Sequence, residues 1–423
     1  MKKLLTTSLA IMLFLQCPFF IEKAYGFSIP GQAADYARII KTTGECLFRE
    51  INANKVIDDL KSLVSRAKKE DPLNVQNPDK KLAAGNGFTI RIEDGIPWVS
   101  GDNQKGTNVS TSEKIDGIAG VKSVAAIHNH ALFLTANGLV FGWGGNGNGE
   151  LGIGQLFEKT DIPVKMKNIK DAIAVAAGVG HSLILKSDGT VLVTGLGTSG
   201  QIGNGLFENT TEPVQVKGLP KIKGIQSGRW HSLALDEQGR VWSWGINNAG
   251  QLGNGNTKNS AKPGLVKNLS NIVAIACGSC HSLALNDKGE VSSWGFNKFG
   301  QVGDNSTKNR VTPQKIKALE GVNVTAVTVG RWHSLALDDK GFVHTWGKGE
   351  DGQLGHGSRE NLLLPKKVEG LTNITSIAAG ECQSFAVDKN GTVWGWGKND
   401  QGEFGIGKTG DLLRPTVISL LET

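Results

Sequence analysis

The chain has 423 residues, 39% of them hydrophobic, with 57 glycines, 12 prolines and a formal net charge of +7. That balance supports a sizeable core with many tight turns, and it excludes a low-complexity disordered chain. Five cysteines are too few for a disulfide scaffold, and the positive charge is scattered without a basic block, so neither a stapled mini-fold nor a nucleic-acid footprint is expected.

At the N-terminus, Lys2 and Lys3 precede a mostly apolar run from Leu4 to Phe20, and Ala24-Tyr25-Gly26 offers small residues ahead of Phe27. This pattern predicts a signal peptide over 1–26 and a secreted or periplasmic protein. A retained membrane anchor is the alternative, because Leu4 to Ile21 approaches spanning length. Gln16 occupies the place where lipidation of Cys17 would need a small residue. Cleavage leaves a net charge of +5 and four cysteines, Cys46, Cys277, Cys280 and Cys382. No other long apolar run follows, so no stable membrane span is expected after cleavage, and the mature chain is read as a monomer.

Residues 27–79 read as a helical extension. Val56, Leu60, Leu63 and Val64 fall at helical spacing, Asn54 is placed to cap the start, and Pro72 lies beyond the end. A helix is expected near 54–69, with a weaker one around 33–41.

From residue 80 onward one phrase returns. His231-Ser232-Leu233-Ala234-Leu235 is followed by Val241-Trp242-Ser243-Trp244-Gly245 and Gly250-Gln251-Leu252-Gly253. Copies begin at His281 and His333, and looser ones at His130, His181 and Gln383. From Phe88 to His130 is 42 residues, and the following steps are 51, 50, 50, 52 and 50. Each unit alternates with period two, as strands do. Seven hairpin glycines, Gly95, Gly138, Gly189, Gly239, Gly289, Gly341 and Gly391, stand where a turn requires positive φ. Four short strands per unit, seven times over, predict an all-β seven-bladed β-propeller over 80–423. The last unit ends near Ile418, one strand short when each blade is counted from the histidine. Residues 80–86 are therefore expected to pair with the C-terminal blade and close the ring.

These elements, Gly-x-x-His-Ser-Leu-Ala-Leu, Gly-x-Val-x-x-Trp-Gly and Asn-x-x-Gly-Gln-Leu-Gly, resemble the regulator of chromosome condensation repeat family, and the resemblance covers 80–423. It implies a seven-bladed propeller used as a protein-binding platform. The family includes an exchange factor for Ran, a plant ultraviolet photoreceptor and secreted bacterial inhibitors of β-lactamase, and this chain is closest in type to the secreted bacterial members. No blade carries the inserted wedge that the exchange factor resembles one in needing. The photoreceptor's Gly-Trp-Arg-His-Thr order is replaced by Gly228-Arg229-Trp230-His231 and Gly330-Arg331-Trp332-His333.

Several motifs that suggest chemistry dissolve into the repeat. Cys277-Gly-Ser-Cys280-His281 spells a haem attachment pattern, but His281 is the repeat's own histidine; a redox pair or local disulfide remains open there. Gly195-Leu-Gly197-Thr-Ser-Gly200 lacks the following helix that a dinucleotide needs. The recurring histidines sit one per blade, which does not build a tetrahedral metal site, and bonding between neighbouring blades suits them better. Both tyrosines, Tyr25 and Tyr36, lie outside the propeller, against a sialidase-type mechanism. No catalytic residue, metal or cofactor is therefore assigned, and the chain is not read as an enzyme.

Function is expected where the copies differ. On the face bearing the turns before the histidines lie His128-Asn129, Arg229, Trp230, Ser279-Cys280, Arg331, Trp332 and Glu381-Cys382. The second loop of each unit adds Phe296, Lys298, Phe299, Lys348, Glu350, Asp351, Lys398 and Asp400. Arginine and tryptophan are the types that anchor interfaces, so Arg229, Trp230, Arg331, Trp332, Phe296, Lys298, Phe299 and Asp351 form the candidate interface. The expected function is an exported scaffold that binds, and by doing so inhibits or regulates, a partner protein. The alternatives are an effector regulating a host small GTPase and a carbohydrate-binding propeller.

Overall fold

The computed structural model describes residues 80–106 and 108–418. The expected signal peptide and the helix near 54–69 lie outside the described residues. Seven four-stranded antiparallel sheets follow one another along the chain. They span 82–114, 121–165, 172–215, 222–265, 272–315, 324–367 and 374–417, and are numbered here as blades 1 to 7.

Blade 4 shows why these residues fold this way. Ile222–Ser227, His231–Asp236, Val241–Gly245 and Ser260–Leu265 are its strands, from the inside outward. Alternation sends Leu233, Leu235 and Val241 into the core shared with blade 5, and Ala234 and Trp244 into the one shared with blade 3. The hairpin between the second and third strands closes at Gly239, whose φ of 74° only glycine takes without strain. At Gly245 the third strand shifts register against the fourth, and a Cβ there would stand 2.6 Å from the Trp230 carbonyl oxygen. The bend lets the following loop swing out over the turn at Arg229-Trp230.

The ring does not close in the way the histidine-based count predicts. Leu82–Ala84 pairs with Phe88–Glu93 of its own blade, and blade 7 completes its four strands with Leu412–Val417. The strand ahead of each histidine is the innermost strand of the same blade, joined to it by a tight turn, as Ser227 opposite Ser232 shows. Among the described residues the propeller thus runs from an inner strand of blade 1 to an outer strand of blade 7, and none of its strands is shared between the two. Blade 7 meets blade 1 side by side: Ser100 Oγ donates to the Glu403 carbonyl at 2.9 Å, and Thr111 bridges Ile406.

The apolar cores lie between blades. Leu183, Val193 and Ile202 of blade 3 cluster with Ile225, Ala234 and Trp244 of blade 4. The Trp244 indole crosses the gap and donates to the Gln201 carbonyl at 2.8 Å; Trp294, Trp346 and Trp396 repeat the contact to Gln251, Gln301 and Gln353. Burial of an indole with its N–H satisfied is worth several kcal/mol per junction.

Candidate interaction face and channel mouth

The recurring histidines are structural. His231 Nε2 lies 2.9 Å from Ser282 Oγ of the next blade, and that hydroxyl donates back to the Gln251 carbonyl at 3.1 Å. Because the serine hydrogen is committed to the carbonyl, the imidazole donates through Nε2, and burial keeps the ring neutral. His130, His281 and His333 meet Ser182, Ser334 and Ser384 at 2.9–3.1 Å, and His181 meets Ser232 at 3.3 Å. Burial holds His130, His181, His231 and His281 down at about 3, and His333 at about 4. Among the described residues, no group of three or more His, Cys, Asp or Glu side chains is placed to hold a metal.

Cys277, Cys280 and Cys382 are free thiols. Cys277 sits in the core between blades 4 and 5, and burial pushes its thiol well above the ordinary range. Burial also raises Cys280, and burial with the nearby Asp351 and Glu381 carboxylates raises Cys382 to about 12. Cys277 and Cys280 stand as separate thiols, and burial gives neither the lowered pKa of an activated thiolate.

In an antiparallel four-stranded blade, the turn between strands one and two and the loop between strands three and four emerge at the same end. The two sets of candidate residues therefore share a face. The inner strands enclose a narrow channel whose lining includes eight alanines and three glycines. Its mouth is tied blade to blade by main-chain hydrogen bonds: Val179 N to Arg229 O at 2.9 Å, Arg229 N to Gly278 O at 3.3 Å, Ser279 N to Arg331 O at 3.0 Å, and Arg331 N to Glu381 O at 2.9 Å. This arc places Arg229, Arg331 and Glu381 at one opening. Arg331 Nη1 stands 3.5 Å from Glu381 Oε2. Glu381 is only 4% exposed, and its Oε1 and the Nε of both arginines have no hydrogen-bond partner.

The residue before the histidine differs from blade to blade, being Asn129, Gly180, Trp230, Cys280 and Trp332 in blades 2 to 6. At blade 6 that residue is Trp332, which packs on Phe296 at 5.0 Å and Phe299 at 6.1 Å, ring centre to ring centre. Arg331 lies 5.8 Å from the Trp332 ring centre, so charge and aromatic cluster adjoin. All three rings are partly exposed, and Lys298 beside them is exposed. Trp230 is covered differently, by its own Arg229 at 4.8 Å. Asp351 is engaged with Lys348 at 3.0 Å, which holds its carboxyl below the usual range despite burial. The structure thus joins Phe296, Phe299, Arg331 and Trp332 in one patch, brings Arg229 to the same mouth, and leaves Asp351 in a local ion pair. Sequence reasoning passed over a second apolar feature: Leu156, Leu206 and Phe207 are 60%, 52% and 54% exposed on the outer loops of blades 2 and 3. The Leu-Phe dipeptide at 156–157 and 206–207, where other blades are polar, was the available signal.

A family model described as RCC1-like domain matches residues 58–380 and 221–423. The chain belongs to the RCC1-like domain family. The regulator of chromosome condensation of Mus musculus is 30% identical over 132 residues, 28% of this chain and 31% of that protein. The mitochondrial RCC1 domain-containing protein RUG3 of Arabidopsis thaliana is 47% identical over 53 residues, 12% of each chain. This RCC1-like chain therefore spans under a third of either relative's length in the matched stretches. Among solved structures, yeast RCC1 (Prp20) bound to Kap60 superposes with a TM-score of 0.67 and 26% identity, covering 76% of this chain and 80% of that one. Prp20p of Saccharomyces cerevisiae, studied with its binding to Gsp1p and histones, gives 0.67 and 25%, covering 75% and 82%. The RCC1-like propeller is mainly a regulatory, protein-binding fold, and among the described residues no helix is long and apolar enough to cross a membrane.

Proposed function

We propose that this chain is an exported protein-binding propeller that holds its partner on the face carrying Phe296, Phe299, Arg331 and Trp332, and that inhibits or regulates the partner by covering it. The observation that carries this reading is the partly exposed aromatic cluster beside an incompletely paired arginine. It stands where the repeat copies diverge, on a scaffold whose other recurring side chains are spent on joining blades. Clustered aromatic and arginine side chains bury large areas with directed polar contacts, which is the composition of binding hot spots. Yeast Prp20, similar over four-fifths of its chain, is a protein-binding example of the fold.

The test is a Phe296→Ala, Phe299→Ala, Trp332→Ala variant, checked for unchanged folding by thermal denaturation. It should lose the stoichiometric partner that the wild-type chain retrieves from secreted and envelope fractions. A folded variant that retrieves the same partner undiminished removes this face from consideration. Export is checked separately by the mass of the recovered protein, which should begin at Phe27.

A further inference from the structure

The channel mouth carries a charge imbalance that the blade junctions do not use. Two guanidiniums, Arg229 and Arg331, converge on one carboxylate, Glu381. Arg331 reaches it only at 3.5 Å, and among the described residues Arg229 forms no salt bridge and lies over the face of Trp230 at 4.8 Å. Arg229 is half-buried, and loss of solvent pulls its affinity for the proton down, with Arg331 adding repulsion and Glu381 attraction. A partly desolvated cation without a hydrogen-bonded counter-ion is costly. An incoming anion would relieve that cost through the forked N–H donors.

The arithmetic of charge sets the class of anion. Two cations less one buried carboxylate leave a single positive charge, matched by a monoanionic carboxylate and overfilled by a dianionic phosphate beside Glu381. The aromatic cluster adjoining Arg331 adds the second element. We infer that the mouth takes the side-chain carboxylate of an acidic segment of a protein partner, with a neighbouring apolar side chain seated on Phe296, Phe299 and Trp332. This rests on the protein-binding reading above and adds the chemistry of what is bound. Lys298, exposed on the same loop as Phe296, extends the positive field that would draw such a segment in.

The test uses the full chain and rhodamine-labelled peptides read by fluorescence anisotropy. One peptide carries Phe-Glu between Gly-Ser flanks, a second carries Phe-Gln, and a third carries Ser-Glu. The Phe-Glu peptide should bind at least tenfold more tightly than Phe-Gln, and the gap should narrow as salt rises. Arg229→Gln with Arg331→Gln should erase that gap. Glu381→Gln, which removes the competing carboxylate, should tighten Phe-Glu binding severalfold, a gain that a merely structural role would not produce. Phe-Gln binding as tightly as Phe-Glu, or a gap that survives loss of both arginines, would overturn the charge assignment while leaving the apolar face standing. Phe-Glu no better than Ser-Glu, with Trp332→Ala without effect on either, would instead count against the face itself. Inorganic phosphate displacing Phe-Glu more effectively than acetate would overturn the monoanion assignment.

Discussion

Five of the seven blade junctions share one chemistry, and the two that flank blade 1 do not. From blade 2 to blade 7, each junction carries a histidine-to-serine hydrogen bond, and the four from blade 3 onward add a tryptophan to a carbonyl of the preceding blade. Where blade 7 meets blade 1, Gln383 replaces the histidine, Ser100 stands in the tryptophan position, and Thr89 Oγ1 is buried without a partner. Where blade 1 meets blade 2, Phe88 stacks edge-on to Trp143 at 5.5 Å, and the Trp143 indole donates to Asp161 of its own blade instead. The repeat phrase is therefore a description of a junction more than of a blade. Ring closure asks only that the last pair of surfaces fit, because six junctions already fix their spacing.

Acid should break the regular junctions first, and this is the largest effect expected. Above pH 6.5 the five imidazoles are neutral whether the chain is folded or not. Below it, histidines of the unfolded chain take up protons that the folded state refuses until about pH 3 to 4. Folded values lower than unfolded ones mean stability is complete above 6.5 and is lost as pH falls. Each histidine contributes a slope of about 1.4 kcal/mol per pH unit, so five together approach roughly 7 kcal/mol per unit once the unfolded chain is fully protonated. Urea midpoints should therefore fall steeply between pH 7 and pH 5. Substituting His231→Gln, which copies the residue at the seam, should take about one fifth off that slope. Midpoints that stay level across this range would mean the imidazoles are not buried as neutral groups.

Truncating the indoles sharpens the same contrast at neutral pH. Trp294 is fully buried, packs between blades 4 and 5, and donates to Gln251. Trp294→Ala should cost about 3–5 kcal/mol through the cavity it leaves. Ser100→Ala, at the equivalent position of the seam, removes one hydrogen bond and should cost about 1 kcal/mol. Chemical denaturation of the two variants compares them directly. Equal losses would show that the Ser100 contact holds the seam as strongly as a buried indole holds a regular junction.

The sequence made the architecture legible because the strongest signals report backbone geometry. All seven hairpin glycines adopt positive φ, from 74° to 84°. The blade frame was misplaced by one strand for a physical reason. Inner strands such as Ile222–Ser227 line a narrow channel and carry small, varied residues, so they lack a phrase and look like the tail of the preceding unit. Disagreement between copies singles out the candidate interface residues Arg229, Arg331, Phe296 and Phe299. That method could not tell that Asp351 is absorbed by Lys348, or that Glu381 turns inward beneath two arginines. Those are facts about which side chains meet across blades, and spacing along one chain does not encode them.

Glu403 offers the smallest and most discriminating test of the seam. It occupies the position held by Glu150 in blade 2 and by Gln201, Gln251, Gln301 and Gln353 in blades 3 to 6, and like them it accepts a backbone N–H two residues earlier, from Gln401 at 2.9 Å. Burial, with Asp400 adding like charge, lifts its carboxyl to about 7. A folded value raised above the ordinary carboxylate range means the folded state holds the proton more tightly, so stability is lost as pH rises from about 4.5 through 7. Glu403→Gln keeps the acceptor oxygen and cannot ionise. It should therefore raise stability by roughly 1–3 kcal/mol at pH 8 and leave it nearly unchanged at pH 5. Opposite in sign to the histidine effect and confined to the junction that lacks a histidine, this gain would place a titrating weakness at the seam. An equal gain at both pH values would show that glutamine simply packs better there and that the carboxyl is already neutral at pH 8.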